Sequence, residues 1–335
     1  MEIIICPSTL QSGFDTYSPS ARKSLFGGER VAHTLPFKHE DIKAATFQGL
    51  GQSFRQLSIS GVQEKYGLVL DRNKLRLPEP NEQTQYILKP IPPELPKAAE
   101  IPANEHLTMQ IARQVYRIPT ADNGLIFFTD GEPALLIRRF DFRPDGLKWR
   151  QEDFASLSNR TKQTAGANYK YEGSYEDIAQ LIKQHLPAYR VEIEKFFRLV
   201  VFNYLFSNGD AHLKNFSILE TLDRDFVLSP AYDLVCTRLH LSDSDMALNE
   251  GLFSDDYETD SFTANAFYAF DDFFIFGQRI GIPQKRVQSQ LSLFQKNYEN
   301  VRILTKNSWL SHDAQEAYLA CYEDRLKRLN YAFKQ

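Results

Sequence analysis

Asp210 and Asn215 lie five residues apart in the stretch "NGDAHLKNFSIL", residues 208–219. Phosphoryl transfer asks a protein for a carboxylate to accept the nucleophile's proton and an amide oxygen to hold a divalent cation. This pair offers both. Asn-Gly-Asp is also a plain turn, because Asn and Asp tolerate unusual backbone angles. On this stretch alone the turn is the simpler reading.

Three further features shift the balance. In "FVLSPAYDLV" Asp233 ends a short apolar run downstream of Asp210. A protein kinase places its Mg²⁺-holding Asp just past the catalytic loop in this way. No Phe-Gly follows Asp233, so the motif departs from D-F-G, and a capping carboxylate at a strand end is the alternative. Lys89 ends the strand-like "YILKP", where an unpaired lysine is unusual. Glu105, early in the next helical pattern, is its natural ion partner; an edge-strand lysine and a helix-start glutamate are the plain alternatives. Upstream, "FQGLGQSFRQLSISGVQEKYGLVL" carries Gly49, Gly51, Gly61 and Gly67. Glycines allow backbone N–H groups close to phosphates, although the spacing is not G-x-G-x-x-G. The ordering of all four features along the chain favours the chemical reading over coincidence.

The elements that must position these residues fall into two kinds. "YGLVLD", "NKLRLPEP" and "QYILKPIPP" read as antiparallel strands between residues 66 and 90, followed by a proline-dense loop. Glu100 to Arg117 reads as a helix, with Pro102 in its first turn and Leu107, Ile111 and Val115 on one face. "GLIFFTD" and "PALLIRRFDF" resume the strand pattern around a "DGEP" turn. Beyond Phe142 the chain turns helical. "SYEDIAQLIKQH" opens with Ser174 and Asp177 at capping-box spacing. Ile193, Phe196, Phe197, Val200, Val201, Tyr204 and Leu205 then follow the i, i+3, i+4, i+7 rule up to the Asn208-Gly209 stop. Helical patterns recur at 284–303 and 313–333. The acidic region 242–260 reads as a solvated loop, and the first fifty residues show no long period. This layout predicts an α+β, two-lobed, protein-kinase-like fold: a β-rich N-lobe over 1–141 with a Gly-rich loop at about 49–67, and a mainly helical C-lobe over 142–335.

Composition sets the outer limits. The 335 residues carry 42% hydrophobic and 24% charged side chains, with 25 Phe and 16 Tyr, as a packed soluble domain would. A net charge of −4 gives no support to direct nucleic-acid binding. Cys6, Cys236 and Cys321 are odd in number and widely spaced, and read as free thiols in a reducing compartment. "MEIIICPSTL" is not a signal peptide, and no run is long enough to span a membrane. The expectation is a cytoplasmic protein without membrane contact.

The segments "SISGVQEK", "YILKP", "NEHLTMQIAR", "LLIRRFDF", "QEDFASL", "KYE", "NGDAHLKNFSIL" and "LSPAYDLV" run in the order found in the HipA-like serine/threonine kinases, toxins of bacterial toxin–antitoxin systems. The resemblance covers about residues 50 to 235. It implies a kinase-like fold using ATP and Mg²⁺, with Asp210 as catalytic base, Asn215 and Asp233 as metal ligands, and Lys89, paired with Glu105, on the phosphates. It places the adenine-reading hinge at Arg138 to Phe140. His212 and Lys214 fall inside the motif; His212 would brace the loop and Lys214 would help neutralise the transferred phosphoryl group. Long members carry about a hundred more residues ahead of the glycine-rich loop, where this chain has about fifty, so it looks like the short form HipT.

That likeness implies two partners, a small HipS-like protein supplying the missing N-terminal subdomain and a HipB-like helix-turn-helix antitoxin that binds DNA. It also implies an aminoacyl-tRNA synthetase target, the tryptophanyl enzyme by analogy with the short form, and inhibited translation. The family phosphorylates its own glycine-rich loop on the serine matching Ser58, and Ser60 adds a second hydroxyl here. Strand-like alternation would put both on one face, where a phosphate of about −1.5 to −2 charge would repel nucleotide; serines that only brace the loop are the alternative. Two other functions compete: a small-molecule kinase, and a non-catalytic nucleotide-binding subunit of an antitoxin complex.

Overall fold

The computed structural model describes residues 1–47, 53–58, 61–93, 95–143 and 145–332, with side chains outside 45–62. Its largest sheet is six-stranded and antiparallel. β1 (Ser53–Ser58), β2 (Gly61–Asp71), β4 (Tyr86–Lys89), β6 (Pro133–Arg138) and β5 (Asn123–Phe127) follow in that spatial order, and β3 (Lys74–Arg76) pairs with the end of β2. The β1–β2 register ends at Ser58↔Gly61. The alternation expected through Ser58 and Ser60 falls partly outside the described residues. Ser60, Gly49 and Gly51 lie outside the described residues, as does the Ser58 side chain.

Both faces of the sheet are covered, which explains its nearly unbroken apolar runs. Leu68, Leu88, Ile126, Ala134 and Leu136 pack with Cys6, Tyr17, Leu25 and Leu35 of the N-terminal segment. The alternate residues Leu125, Leu135 and Ile137 pack with Leu107 and Ile111 of α3 (Ile101–Gln114). Pro102 sits in the first turn of α3 as expected, and the helix is buried from Ile101 to Ala112. The N-terminal segment, which shows no period in sequence, contains α1 (Pro19–Phe26) and α2 (His39–Phe47). It closes the sheet edge: Leu125 N–H donates to Pro7 O at 2.8 Å and Phe127 N–H to His33 O at 2.9 Å.

A second sheet orders β7 (Gln151–Asp153), β8 (Ser217–Glu220) and β9 (Phe226–Leu228). The short helices α4 (Phe154–Leu157) and α5 (Lys162–Ala165) lead into α6 (Tyr175–His185) and α7 (Tyr189–Leu205). The Ser174–Asp177 capping box forms as read: each side chain accepts from the other's backbone N–H. Downstream lie α8 (Asp260–Asn265), α9 (Phe270–Arg279), α10 (Gln284–Phe294), α11 (Tyr298–Lys306) and α12 (His312–Leu329). The single pattern over 284–303 is thus two helices, broken at 295–297. No described helix is long and apolar enough to cross a membrane.

The acidic region is less solvated than its composition suggests. Met246, Ala247, Leu248, Leu252 and Phe253 are buried. Asp245 accepts from the fully buried Arg325 at 2.5 Å and from Arg328 at 3.1 Å. Its carboxyl sits below the ordinary range because these guanidinium groups outweigh the effect of burial. Replacing Asp245 leaves Arg325 buried with only Ser207 and the face of the Tyr204 ring. Asp245→Ala is expected to destabilise the fold by about 3 kcal/mol in urea unfolding, against about 0.5 kcal/mol or less for a solvated loop carboxylate.

Candidate active site

Lys89 closes β4 and is 3% exposed. Its ammonium lies 2.5 Å from Glu105 on α3 and 2.5 Å from Asp233 in the loop after β9. Burial opposes its charge, but the Asp233 and Glu105 carboxylates overcome this and raise its affinity for the proton. Asp233 is held well below the usual carboxylate range: burial works against ionisation, and Lys65 and then Lys89 prevail. Burial still raises Glu105, with Lys89 opposing. The triad joins a strand and the helix that follows it to a loop 144 residues beyond Lys89.

The loop carrying Asp233 is clamped from the α3 side. Asn104, next to Glu105, donates to Cys236 O at 2.9 Å and accepts from Cys236 N–H at 3.0 Å. A neutral amide that satisfies both backbone groups holds the loop without adding charge. Asp233 itself has φ +54°, the left-handed region that a non-glycine residue adopts only when its surroundings demand it.

The loop after α7 meets this one from the other side. Asn208 donates to Asp233 O at 3.4 Å and Asn215 Nδ2 to Asp233 Oδ2 at 3.4 Å. Gly209 N–H donates to Thr237 Oγ1 at 2.8 Å, and a Cβ at Gly209 would lie 2.3 Å from Asp243 Oδ2 and 2.8 Å from the Ser244 carbonyl oxygen, so no larger residue fits unless both move. Asp210 Oδ1 accepts from the Tyr171 phenol at 2.8 Å. His212 Nε2 stands 3.7 Å from the same carboxylate. Burial, and then Lys170, push the His212 imidazole down to about 3, so it stays neutral near pH 7. A neutral ring packed edge-on against Tyr171 at 5.2 Å fits the bracing role expected of it.

A cleft of about 740 Å³ opens between the large sheet and these loops. Ile87, Ile137, Phe140 and Tyr232 give it an apolar part, and Lys65, Lys89 and Lys214 a cationic one. Arg138 and Phe140 both line it, but the Arg138 and Arg139 amides are already spent on Asp122 O and Gln85 O. The Arg138 guanidinium reaches back to Ser24 O at 2.6 Å. The Phe140 ring lies 6.0 Å from Tyr232. Gly67 lines the cleft as well, where close packing demands it: a Cβ there would stand 2.4 Å from Thr84 Cγ2.

Four residues without an assigned role in the sequence complete the site. Lys65 lies 3.7 Å from Asp233 and is pulled down by burial. Tyr171 holds Asp210. Tyr232 donates to Lys214 O at 2.9 Å. Asp153 accepts from Lys214 Nζ at 3.0 Å, so the lysine expected to neutralise a transferred phosphoryl group is already paired. "QEK", "KYE", "QED" and "AYD" carried the signal for all four, within segments of the resemblance.

Comparison with known proteins agrees with this geometry. A Haemophilus influenzae protein named "Putative kinase" is 29% identical over 346 residues, covering 98% of this chain and 96% of its own length. Kinase Y4mE of Sinorhizobium fredii, likewise named on inference, is 32% identical over 195 residues, 56% of this chain and 44% of its own. Among solved structures, HipA of Shewanella oneidensis, determined with HipB and operator DNA, superposes with TM-score 0.65 at 20% identity, over 88% of this chain and 71% of its own. The Helicobacter pylori proinflammatory kinase CtkA does so with TM-score 0.51 at 14% identity, over 83% and 94%. These two share the kinase-like fold. The model of the HipA-like C-terminal domain matches residues 57–300, and with that match over most of its length the chain belongs to the HipA-like C-terminal domain family.

Proposed function

We propose that this chain is an ATP-dependent serine/threonine protein kinase and the toxin of a toxin–antitoxin system. The observation that carries the reading is the Lys89–Glu105–Asp233 triad beside Asp210 and Asn215. A lysine held by a helix glutamate and facing a loop aspartate is the arrangement that grips nucleotide phosphates in kinases.

The site residues fit the groups this implies. The apolar part of the cleft suits a purine and the three lysines suit a polyphosphate. Asp233 fits Mg²⁺, which takes one or two protein carboxylates and completes its shell from phosphate and water; Asn215 lies beside it with Nδ2 toward Asp233 and Oδ1 on His212 N–H, so its oxygen would join the metal only after that amide turns. When bound, Mg²⁺ would offset the charge of the phosphate oxygens. Asp210 accepts the proton of the incoming hydroxyl, with Tyr171 fixing one carboxylate oxygen so that the other faces the acceptor. Lys89 would bind the phosphates, and Asp233 would hold the metal.

The acceptor proposed for this activity is an aminoacyl-tRNA synthetase, the tryptophanyl enzyme first, with translation inhibited as a result. A HipB-like antitoxin and a HipS-like small protein are the proposed partners; the HipB complex of the structurally similar HipA supports the first. Ser58, at the end of β1 beside the cleft-lining β2, and Ser60 are the proposed sites of self-phosphorylation.

Two measurements test this. After phosphatase treatment and incubation with Mg²⁺-ATP, peptide mapping is expected to find phosphate on Ser58 or Ser60 in the wild type and none in Asp210→Asn. Normal phosphate transfer by that variant would remove Asp210 from the role of base. In calorimetric titration Asp210→Asn should bind ATP within about threefold of wild type, whereas Asp233→Asn should weaken Mg²⁺-dependent binding by about tenfold or more, the loss of one charge-assisted ligand. Equal Mg²⁺-dependence in the two variants would reassign the metal away from Asp233.

A further inference from the structure

Lys170 stands in the loop before α6, one residue from Tyr171. Its Nζ is buried from solvent and has no hydrogen-bond partner among the described residues. It lies over the Tyr171 ring at 4.8 Å, and the charges that act on it are Asp210 first, then Lys214 and Asp233. Asp210 hydrogen-bonds instead to the Tyr171 phenol. An ammonium withdrawn from water without a hydrogen-bonded anion is costly. Burial lowers the affinity of Lys170 for its proton while Asp210 opposes this, and an incoming anion would favour the charged form further.

The anion this site generates is the phosphoryl group in flight, whose charge spreads over three oxygens between donor and acceptor. Lys89 and Lys65 already face Asp233 on the nucleotide side. Lys214 is paired with Asp153. Lys170 stands instead with Tyr171 and Asp210, the side from which the acceptor hydroxyl must approach.

We propose that Lys170 is a catalytic residue of the transfer step, its ammonium meeting the transferred phosphoryl group on the acceptor side. The acceptor oxygen bonds to the γ-phosphorus, the bond from that phosphorus to the β,γ-bridging oxygen breaks, and ADP leaves with the electron pair. The hydroxyl proton passes to Asp210. Lys170 stays protonated throughout and offsets charge that is greatest in flight. This assignment rests on the kinase reading of the site.

The test compares ADP affinity with and without aluminium fluoride, in Mg²⁺, for wild type, Lys170→Met, Lys170→Arg and Asp210→Asn. The fluoride complex stands in for the phosphoryl group in flight. Lys170→Met is expected to bind ADP alone as wild type does, to lose at least tenfold of the tightening that fluoride brings, and to melt no lower than wild type. Its self-phosphorylation should fall by about 10²–10³-fold, the loss typical of one charge-stabilising donor. Lys170→Arg should retain most of both. Undiminished tightening in Lys170→Met, no tightening in the wild type, or ADP affinity and melting temperature falling together would each overturn the proposal. The kinase reading is judged separately: no phosphate transfer from Mg²⁺-ATP by the wild type would overturn that reading, while the fluoride comparison decides on Lys170 alone.

Discussion

One ammonium buried between two carboxylates sets the terms for the rest of this structure. Lys89 could not stay charged at 3% exposure without Glu105 and Asp233, and neither carboxylate could be ionised there without a cation. The three residues come from β4, α3 and the loop after β9, so their meeting fixes how helix, sheet and loop sit together. The Asn104 clamp on Cys236 and the left-handed backbone at Asp233 serve the same end. A buried ion cluster contributes little net stability; its value lies in tolerating only one arrangement of its parts.

The same cluster bears on the proposed nucleotide site. Lys65 and Lys89 are balanced by Asp233 and Glu105 across the cleft. A polyphosphate and a divalent cation entering together would exchange these partners rather than create charges from neutral groups. Desolvation is already spent before the ligand arrives, and binding becomes a change of partner at nearly constant burial.

What could be read from the sequence follows from the range over which each signal acts. The α7 periodicity and the Ser174–Asp177 box are local, and both appear as read. Lys89, Glu105 and Asp233 could be placed because residue types and their order survive without knowledge of distance. The Tyr171–Asp210 bond spans 39 residues and the Lys214–Asp153 pair 61, and no periodicity records either. The acidic region misled because its carboxylates were counted as solvated, whereas Asp245 answers an arginine on a helix eighty residues later.

The N-terminal segment has a consequence in time as well as in space. Pro7 and His33 complete their hydrogen bonds with Leu125 and Phe127, so the first layer of the fold cannot settle until β5 has left the ribosome. At about 5–20 residues per second, that leaves Cys6, Tyr17 and Leu25 without their final cover for roughly 6–24 s. During that interval an apolar stretch with no periodicity of its own is open to whatever apolar surface reaches it first, and synthesis rate becomes a variable of correct assembly.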